Sequence, residues 1–260
     1  MDDLDLALDL ARTGAAVIQS WAGRLEGAEF KGSVDPVTVA DREAEAAILD
    51  MLTRARPDDY VLAEEGGGSR GARTWVIDPL DGTVNFLHGV PHVAVVVALV
   101  DGDGVSVGVV YDVFRSEVFH ATRGGGAWMN DTRLAVSTQT DLGASLMATG
   151  FPYDRRDHAH EYVEAVAAAL IHLQGIRRAG TAALDLTWTA AGRYDGYWEL
   201  GLKPWDMAAG VLIVEEAGGT VTDLRGQRLD VFTAGSVAAT NGLLHDGLLT
   251  VMAPYIPDRY

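Results

Sequence analysis

The stretch Thr74-Trp75-Val76-Ile77-Asp78-Pro79-Leu80-Asp81-Gly82-Thr83-Val84-Asn85-Phe86 sets two carboxylates about a turn. The apolar run Trp75-Val76-Ile77 reads as a buried strand bounded by turn chemistry. Pro79 cannot donate to a sheet ladder, so the strand is expected to stop there. Asp78 then closes the strand, and Asp81 precedes Gly82 and Thr83. Clustered hard oxygens of this kind suit Mg²⁺, which takes carboxylates, water and substrate phosphate. Gly82 lets backbone approach a ligand, and a helix beginning just after it would aim N–H groups at an anion. By itself the segment is also compatible with an ordinary Asp-Gly turn.

Working outward, the 260 residues suffice for one large domain or two small ones. Hydrophobic residues make up 48%, the mix of a globular protein. A formal net charge of −17 argues against a nucleic-acid binder, whose footprint is basic. It does not argue against a phosphorylated substrate, because bound cations invert the local field. Cysteine is absent, which removes disulfides, thiolate metal sites and cysteine nucleophiles. The acidic, amphipathic start MDDLDLALDLA lacks the basic region and apolar core of a signal peptide. The run Val93–Val100 is too short to span a bilayer, so a cytoplasmic protein with no membrane partner is expected.

Apolar positions Leu4, Leu8, Ala11, Ala15 and Ile18 predict a helix over 3–24. A polar loop is expected over 25–38, carrying Lys31 and Asp35, and a second helix over about 41–55, ended by Pro57. Tyr60–Ala63 reads as a strand delivering Glu64 and Glu65 into a glycine-rich loop, 66–72. Val93–Val100, Gly104–Asp112 and Glu117–Ala121 are spaced like an antiparallel meander, with Ala127–Asn130 starting a further arm. The triplet Gly124-Gly125-Gly126 lacks the Gly-Lys-Ser/Thr of a P-loop and reads as a turn. A second half alternates strand and helix: strands at Ser145–Thr149, Gly175–Arg178, Tyr194–Glu199, Thr220–Asp223 and Ser236–Thr240, helices over 158–173, Ala182–Gly192, Met207–Ala217 and 243–253. The expected division is 1–143, an α+β half with a large antiparallel sheet, and 144–260, an α/β half completing the site, about one continuous core.

Acidic residues recur at element ends: Asp41, Glu64, Asp78, Asp81 and Asp206. Such positions point into clefts between layers, although Asp41 and Asp206 also sit where helix N-caps belong. In combination the blocks TVAD (38–41), AEE (63–65), DPLDGT (78–83) and PWDMAAG (204–210) resemble the inositol monophosphatase family of Mg²⁺-dependent, lithium-sensitive phosphatases. GVVYDVF (108–114), RGGGAWMN (123–130), GTAALDL (180–186), YDGYWELGLKPWD (194–206) and EEAGG (215–219) extend the resemblance over nearly the whole chain.

The resemblance implies a layered αβαβα sandwich, a homodimer, and hydrolysis of a small phosphate monoester, first of all an inositol monophosphate. Histidinol phosphate, fructose 1,6-bisphosphate or another sugar phosphate are the alternative substrates. A non-catalytic regulatory member is a further alternative, since some relatives are thought to meet the transcription machinery. Glu64, Asp78 and the Leu80 carbonyl would hold a first Mg²⁺; Asp78, Asp81 and Asp206 a second; a third, weaker ion would lie near Glu64, with Mn²⁺ a possible substitute. Thr83, paired with Asp41, would orient the attacking water together with Glu64. Gly82 and Thr83 N–H groups would grip phosphate. Asp81, Ala182 and Glu199 would touch substrate hydroxyls, and Lys31 would lie near the site. Two metals roughly 3.5–4 Å apart suit in-line displacement by water, and no protein nucleophile is then required. His88 and His92 read as loop or supporting histidines, Trp188, Trp198 and Trp205 as packing residues, and Arg155-Arg156 as an exposed loop that binds phosphate, meets a subunit or is merely solvated.

Overall fold

The computed structural model describes residues 1–25, 27–31, 35–102 and 104–260. In the first part of the chain, α1 (Asp3–Trp21), β1 (Glu29–Phe30), β2 (Pro36–Val37) and α2 (Val39–Ala55) precede β3 (Tyr60–Ala63), β4 (Gly67–Gly68) and β5 (Arg73–Asp81). The short α3 (Thr83–Leu87) leads to β6 (Ala94–Asp101), β7 (Gly104–Asp112), β8 (Glu117–Thr122), β9 (Gly126–Met129) and β10 (Thr132–Arg133). Then follow β11 (Leu146–Thr149), α4 (Arg155–His172), β12 (Gly175–Arg177), α5 (Ala182–Ala190) and β13 (Gly196–Leu200). The chain closes with α6 (Pro204–Glu216), β14 (Thr220–Thr222), β15 (Ser236–Thr240) and α7 (His245–Met252).

Eight strands form one sheet in the order β10-β9-β8-β7-β6-β5-β3-β4, and five form another, β12-β11-β13-β15-β14. The larger sheet is antiparallel except where β3 runs parallel to β5, a mixture that the expected antiparallel sheet did not include. Alternation along β6 explains the layering. Val95, Val97 and Leu99 face α1 and α2, joining Leu6, Leu10, Ile18, Ile48 and Leu52. Val96, Ala98 and Val100 face α5 and α6, joining Leu184, Leu186, Leu212 and Ile213. The second sheet covers those helices with Tyr197 and Ala239, and turns Met147, Trp198 and Ala238 toward α4 and α7. The result is the layered αβαβα sandwich of an α+β protein. Gly108 permits a close approach of β7 to α6, since a Cβ there would meet Ala209 O at 2.8 Å.

Several boundaries differ from expectation for identifiable reasons. β5 does not stop at Pro79 but runs to Asp81 through a register shift between Asp78 and Asp81. Proline is tolerated at such a bulge, where no ladder N–H is required. Neither Asp41 nor Asp206 is an N-cap: Thr38 and Lys203 are, and both acids sit three residues later, accepting from the N-cap backbone. Helix α4 begins at Arg155 rather than 158, with non-helical backbone at His158 (φ −123°, ψ 22°). Part of the loop expected over 25–38, residues 26 and 32–34, lies outside the described residues. The remainder forms the β1–β2 pair, with Lys31 N donating to Asp35 O at 2.8 Å.

The glycine triplet is a clasp. Gly124 N and Gly126 N donate to the two oxygens of Glu216, at 2.7 and 2.8 Å, while Arg123 Nη1 reaches Glu215 at 2.7 Å. A loop that resembles a phosphate cradle thus holds a carboxylate from the end of α6. Glu216→Ala leaves both N–H groups without this acceptor, and urea unfolding is expected to show a loss of about 1–3 kcal/mol. An unchanged urea midpoint would show the clasp to be energetically idle.

Candidate active site

One cavity of about 390 Å³ is lined by residues 35–36, Glu64 after β3, the end of β5 and the start of α3, residues 150–155 and 178–182, residues 199–202 at the end of β13, and Asp206 in the first turn of α6. Glu64, Asp78, Leu80, Asp81, Gly82, Thr83, Ala182, Glu199 and Asp206 all line it. Asp41 lies behind this wall, 1% exposed. The β5 bulge turns Asp78 and Asp81 to the same cavity, although strict strand alternation would not bring residues three apart to one side.

The aspartates share one construction, in which a backbone N–H fixes one oxygen. Leu80 N donates to Asp78 Oδ1 at 2.9 Å, and Ala183 N to Asp81 Oδ2 at 2.8 Å. Lys203 N donates to Asp206 Oδ2 at 2.6 Å, and Thr38 N to Asp41 Oδ2 at 2.8 Å. The second oxygen of Asp41 accepts from the Thr83 hydroxyl at 2.8 Å. Leu80 O is a more distant acceptor for that hydroxyl, at 3.1 Å. Gly82 reaches its position through φ +99°, and a Cβ there would lie 2.8 Å from Thr181 Oγ1 and 3.0 Å from His92 O.

Lys31 is not among the residues lining this cavity. Its Nζ lies 2.6 Å from Glu65 and 3.2 Å from Glu64, in an adjoining recess that also contains Arg42 and Glu45. Glu45 Oε2 accepts from Glu65 N at 2.9 Å, so α2 anchors the turn that carries Glu64.

The carboxylates are crowded and dry. Burial, then the negative charges of Glu64, Asp81 and Asp206, hold Asp78 well above the ordinary carboxylate range. Burial and then Asp206 do the same to Asp81. Burial pushes Glu64 up to about 7 against the attraction of Lys31. Burial likewise pushes Asp206 up to about 7, opposed by the Lys203 N–H and reinforced by Glu199. Burial pushes Glu199 up to about 7, opposed by the Tyr197 hydroxyl that donates to it and by Arg178 and Arg155.

Among the described residues no three His, Asp or Glu side chains stand together in metal-holding geometry. The donor set nevertheless fits a hard divalent cation: buried oxygen donors with mutually raised pKa values lack the positive charge that would let them ionise together.

Sequence reading missed Arg178, Asn85, Thr181 and Glu45. Asn85 Nδ2 donates to His92 O at 2.8 Å and to Ala179 O at 3.0 Å, and Thr181 Oγ1 donates to His92 O at 2.9 Å. Together these bonds stitch α3 to the loop preceding α5. Their only sequence signal was proximity to the DPLDGT and GTAALDL blocks. His92 contributes its carbonyl; its ring is buried and held neutral, with burial and then Arg115 lowering it to about 4. Trp188 packs edge-on to His92, with the guanidinium groups of Arg115 and Arg193 5.0 and 5.1 Å from its ring centroid.

Fold and site define a layered α+β protein with a carboxylate-lined cavity to which the end of β5, the end of β13 and the start of α6 contribute. The chain belongs to the inositol monophosphatase family, whose model matches residues 2–256. It is 42% identical to the Nus factor SuhB of Pseudomonas aeruginosa, over 98% of this chain and 97% of that one. It is 45% identical to the inositol-1-monophosphatase of a Synechocystis species, over 96% and 88% respectively. The crystal structure of the extragenic suppressor protein suhB from Bartonella henselae superposes with a TM-score of 0.92 at 38% identity, covering 97% of this chain and 98% of that one.

The raised carboxyl pKa values make a linkage prediction. Glu64 and Asp206 titrate near 7 when folded, against ordinary values of 4.5 and 3.8, so between those limits the folded state holds more protons than the unfolded one. Their contribution to stability therefore falls as pH rises toward 7. Chelator-treated protein is expected to melt at least ~3 °C lower at about pH 7.5 than at about pH 5.5. Added Mg²⁺ is expected to raise the melting temperature more at the higher pH, where fewer protons compete. A Mg²⁺ increment independent of pH would refute this linkage.

Proposed function

We propose that the protein hydrolyses a small phosphate monoester with Mg²⁺, inositol monophosphate being the first candidate substrate. One observation carries this reading: Glu64, Asp78, Asp81 and Asp206 line a single cavity beside a Thr83–Asp41 hydrogen bond. Glu64, Asp78 and Leu80 O would hold one cation and Asp78, Asp81 and Asp206 a second, with a third near Glu64 and Mn²⁺ an acceptable substitute. When bound, the cations lower the pKa of a water and neutralise charge developing on the phosphoryl and leaving oxygens.

The chain's own residues then position the reactants. Because Thr83 Oγ1 donates its proton to Asp41, its lone pairs face outward to accept from the attacking water, which Glu64 orients from the other side. N–H groups at Gly82 and Thr83 are assigned to a phosphate: both residues line the cavity, and glycine at 82 adopts the φ of +99° without the Cβ that would meet Thr181 Oγ1 and His92 O. Asp81, Ala182 and Glu199 are assigned to substrate hydroxyls. Lys31, which pairs with Glu64 and Glu65, tunes the charge of that edge.

The test is Mg²⁺-dependent phosphate release from inositol 1-phosphate, histidinol phosphate, fructose 1,6-bisphosphate and β-glycerophosphate. Turnover is expected to require Mg²⁺, to be inhibited by millimolar Li⁺, and to be abolished in Asp78→Asn, whose fold is retained. Substantial turnover in that variant would overturn the two-cation assignment. A second, binding role is favoured by the Nus factor name of the relative from Pseudomonas aeruginosa. With a net charge of −17, its partner would be a protein rather than a nucleic acid. Absence of phosphate release from every compound would move the weight to that role.

A homodimer, in the cytoplasm, completes the reading. Its support is an apolar stripe on α4, where Val163, Leu170 and Ile171 are 60%, 63% and 80% exposed at helical spacing. Ile171→Glu is expected to shift the protein to monomer in light scattering, whereas an unchanged mass would remove this face from the interface.

A further inference from the structure

The cavity is electrically two-ended. Besides the carboxylates, its wall includes Arg155 and Arg178. Among the described residues, neither guanidinium forms an ion pair with a carboxylate. Arg155 Nη1 donates to Pro152 O at 3.3 Å, which fixes its direction without neutralising it. Arg178 lies over the Phe151 ring, 5.5 Å from its centroid, and its Nη1 comes within 2.6 Å of where a Cβ on Gly180 would stand. Glycine at 180 therefore leaves room for the guanidinium. Burial and then the charge of Arg178 lower Arg155 from its ordinary value, so the two cations are held near each other at a cost. Glu199 feels both arginines, and it in turn acts on Asp81 and Asp206. It is the carboxylate that feels both the arginines and the acids of the site.

Arg155 is half-buried and Arg178 exposed, and Glu199 and Asp185 feel their charge without closing an ion pair; two such guanidinium groups on one cavity wall are a recognition device for a ligand anion. We infer that Arg155 and Arg178 form a subsite for a second anionic group, a phosphate or a carboxylate, carried by the substrate. The phosphate ester that reacts would sit at the carboxylate end, its hydroxyls beside Glu199, and the second anion between the arginines. At about 390 Å³ the cavity falls within the range of small-ligand pockets, roughly 300–1,000 Å³, and has room for such a compound. This inference rests on the proposed phosphatase chemistry. It widens the substrate class from inositol monophosphate to polyol phosphates with a second negative charge.

The experiment uses the full chain with Mg²⁺ and two substrate pairs. Fructose 1,6-bisphosphate is compared with fructose 1-phosphate, and 6-phosphogluconate with glucose 6-phosphate. Within each pair the ratio of kcat/KM, doubly over singly anionic, is measured for wild type, Arg155→Gln, Arg178→Gln, the double variant and Arg178→Lys. The ratio is expected to fall at least ~10-fold in the double variant, through KM, with Arg178→Lys in between. A fall in the first pair alone identifies the second anion as phosphate; a fall in both admits carboxylate. A ratio unchanged by removing both arginines overturns the subsite, as does a wild type whose KM is no lower for the doubly anionic member. If nothing is hydrolysed, the phosphatase reading fails by itself. Calorimetric titration of the same four compounds then decides the subsite: wild type must bind the doubly anionic members at least ~10-fold more tightly than the double variant does, and equal affinity refutes it.

Discussion

The mutual repulsion of buried carboxylates is the constraint on which the rest of the structure depends. At an effective dielectric near 20, two unit charges about 4 Å apart repel by about 4 kcal/mol. That is a large fraction of the roughly 5–15 kcal/mol that holds a typical domain folded. Asp78, Asp81, Glu64 and Asp206 come to one cavity only because the surrounding layers leave their backbones little alternative. β5 is fully buried from Thr74 to Asp81 and paired on both sides, by β3 and β6. Its bulge at Pro79 concentrates the distortion at one point, leaving the adjoining ladder regular.

The second device is the repeated use of one backbone N–H per aspartate. In each case that N–H sets the direction of the carboxylate, joined at Asp41 Oδ2 by the Thr38 hydroxyl, while leaving the other oxygen for different work. For Asp41 and Asp206 this dissolves the choice between helix cap and site residue. At the third helical position, the oxygen nearer the N-cap closes a capping box, and the other extends past the helix end. In Asp41 that oxygen receives the Thr83 hydroxyl. Structural support and chemical readiness are then properties of the same side chain.

This dual use explains what was legible in the sequence and what was not. Strand and helix periods gave most elements, β6 among them, because burial on two sides leaves an unbroken apolar run; which residues of β6 face which layer was not read. The five acids were visible as residues at element ends, and the resemblance placed them together. The extent of β5 was not visible: proline ends a regular ladder, and only the pairing partner reveals that a bulge carries the strand past it. The N-caps were misplaced because Asp is a good cap by composition, whereas the register is decided by the preceding Thr38 and Lys203 backbones. Arg178 carried no local signal at all. It follows a three-residue strand, and only the packing of β12 beside β11 brings it to the same cavity as Arg155.

The charge distribution also resolves an apparent conflict between a strongly acidic chain and an anionic ligand. A net charge of −17 sets up a field that opposes approach of a phosphate. Within the cleft, however, the nearest groups outweigh distant ones, because exposed charges beyond about 8–10 Å are screened by salt. Lys31 is already committed to Glu64 and Glu65, so it offers little net charge to a ligand. Arg155 and Arg178 are not so committed, and they lie within the cavity wall itself. Divalent cations at the opposite end would reverse the sign of the remaining acidic surface. The two ends then attract negative groups from opposite directions, which sets the orientation of an elongated ligand as well as its affinity.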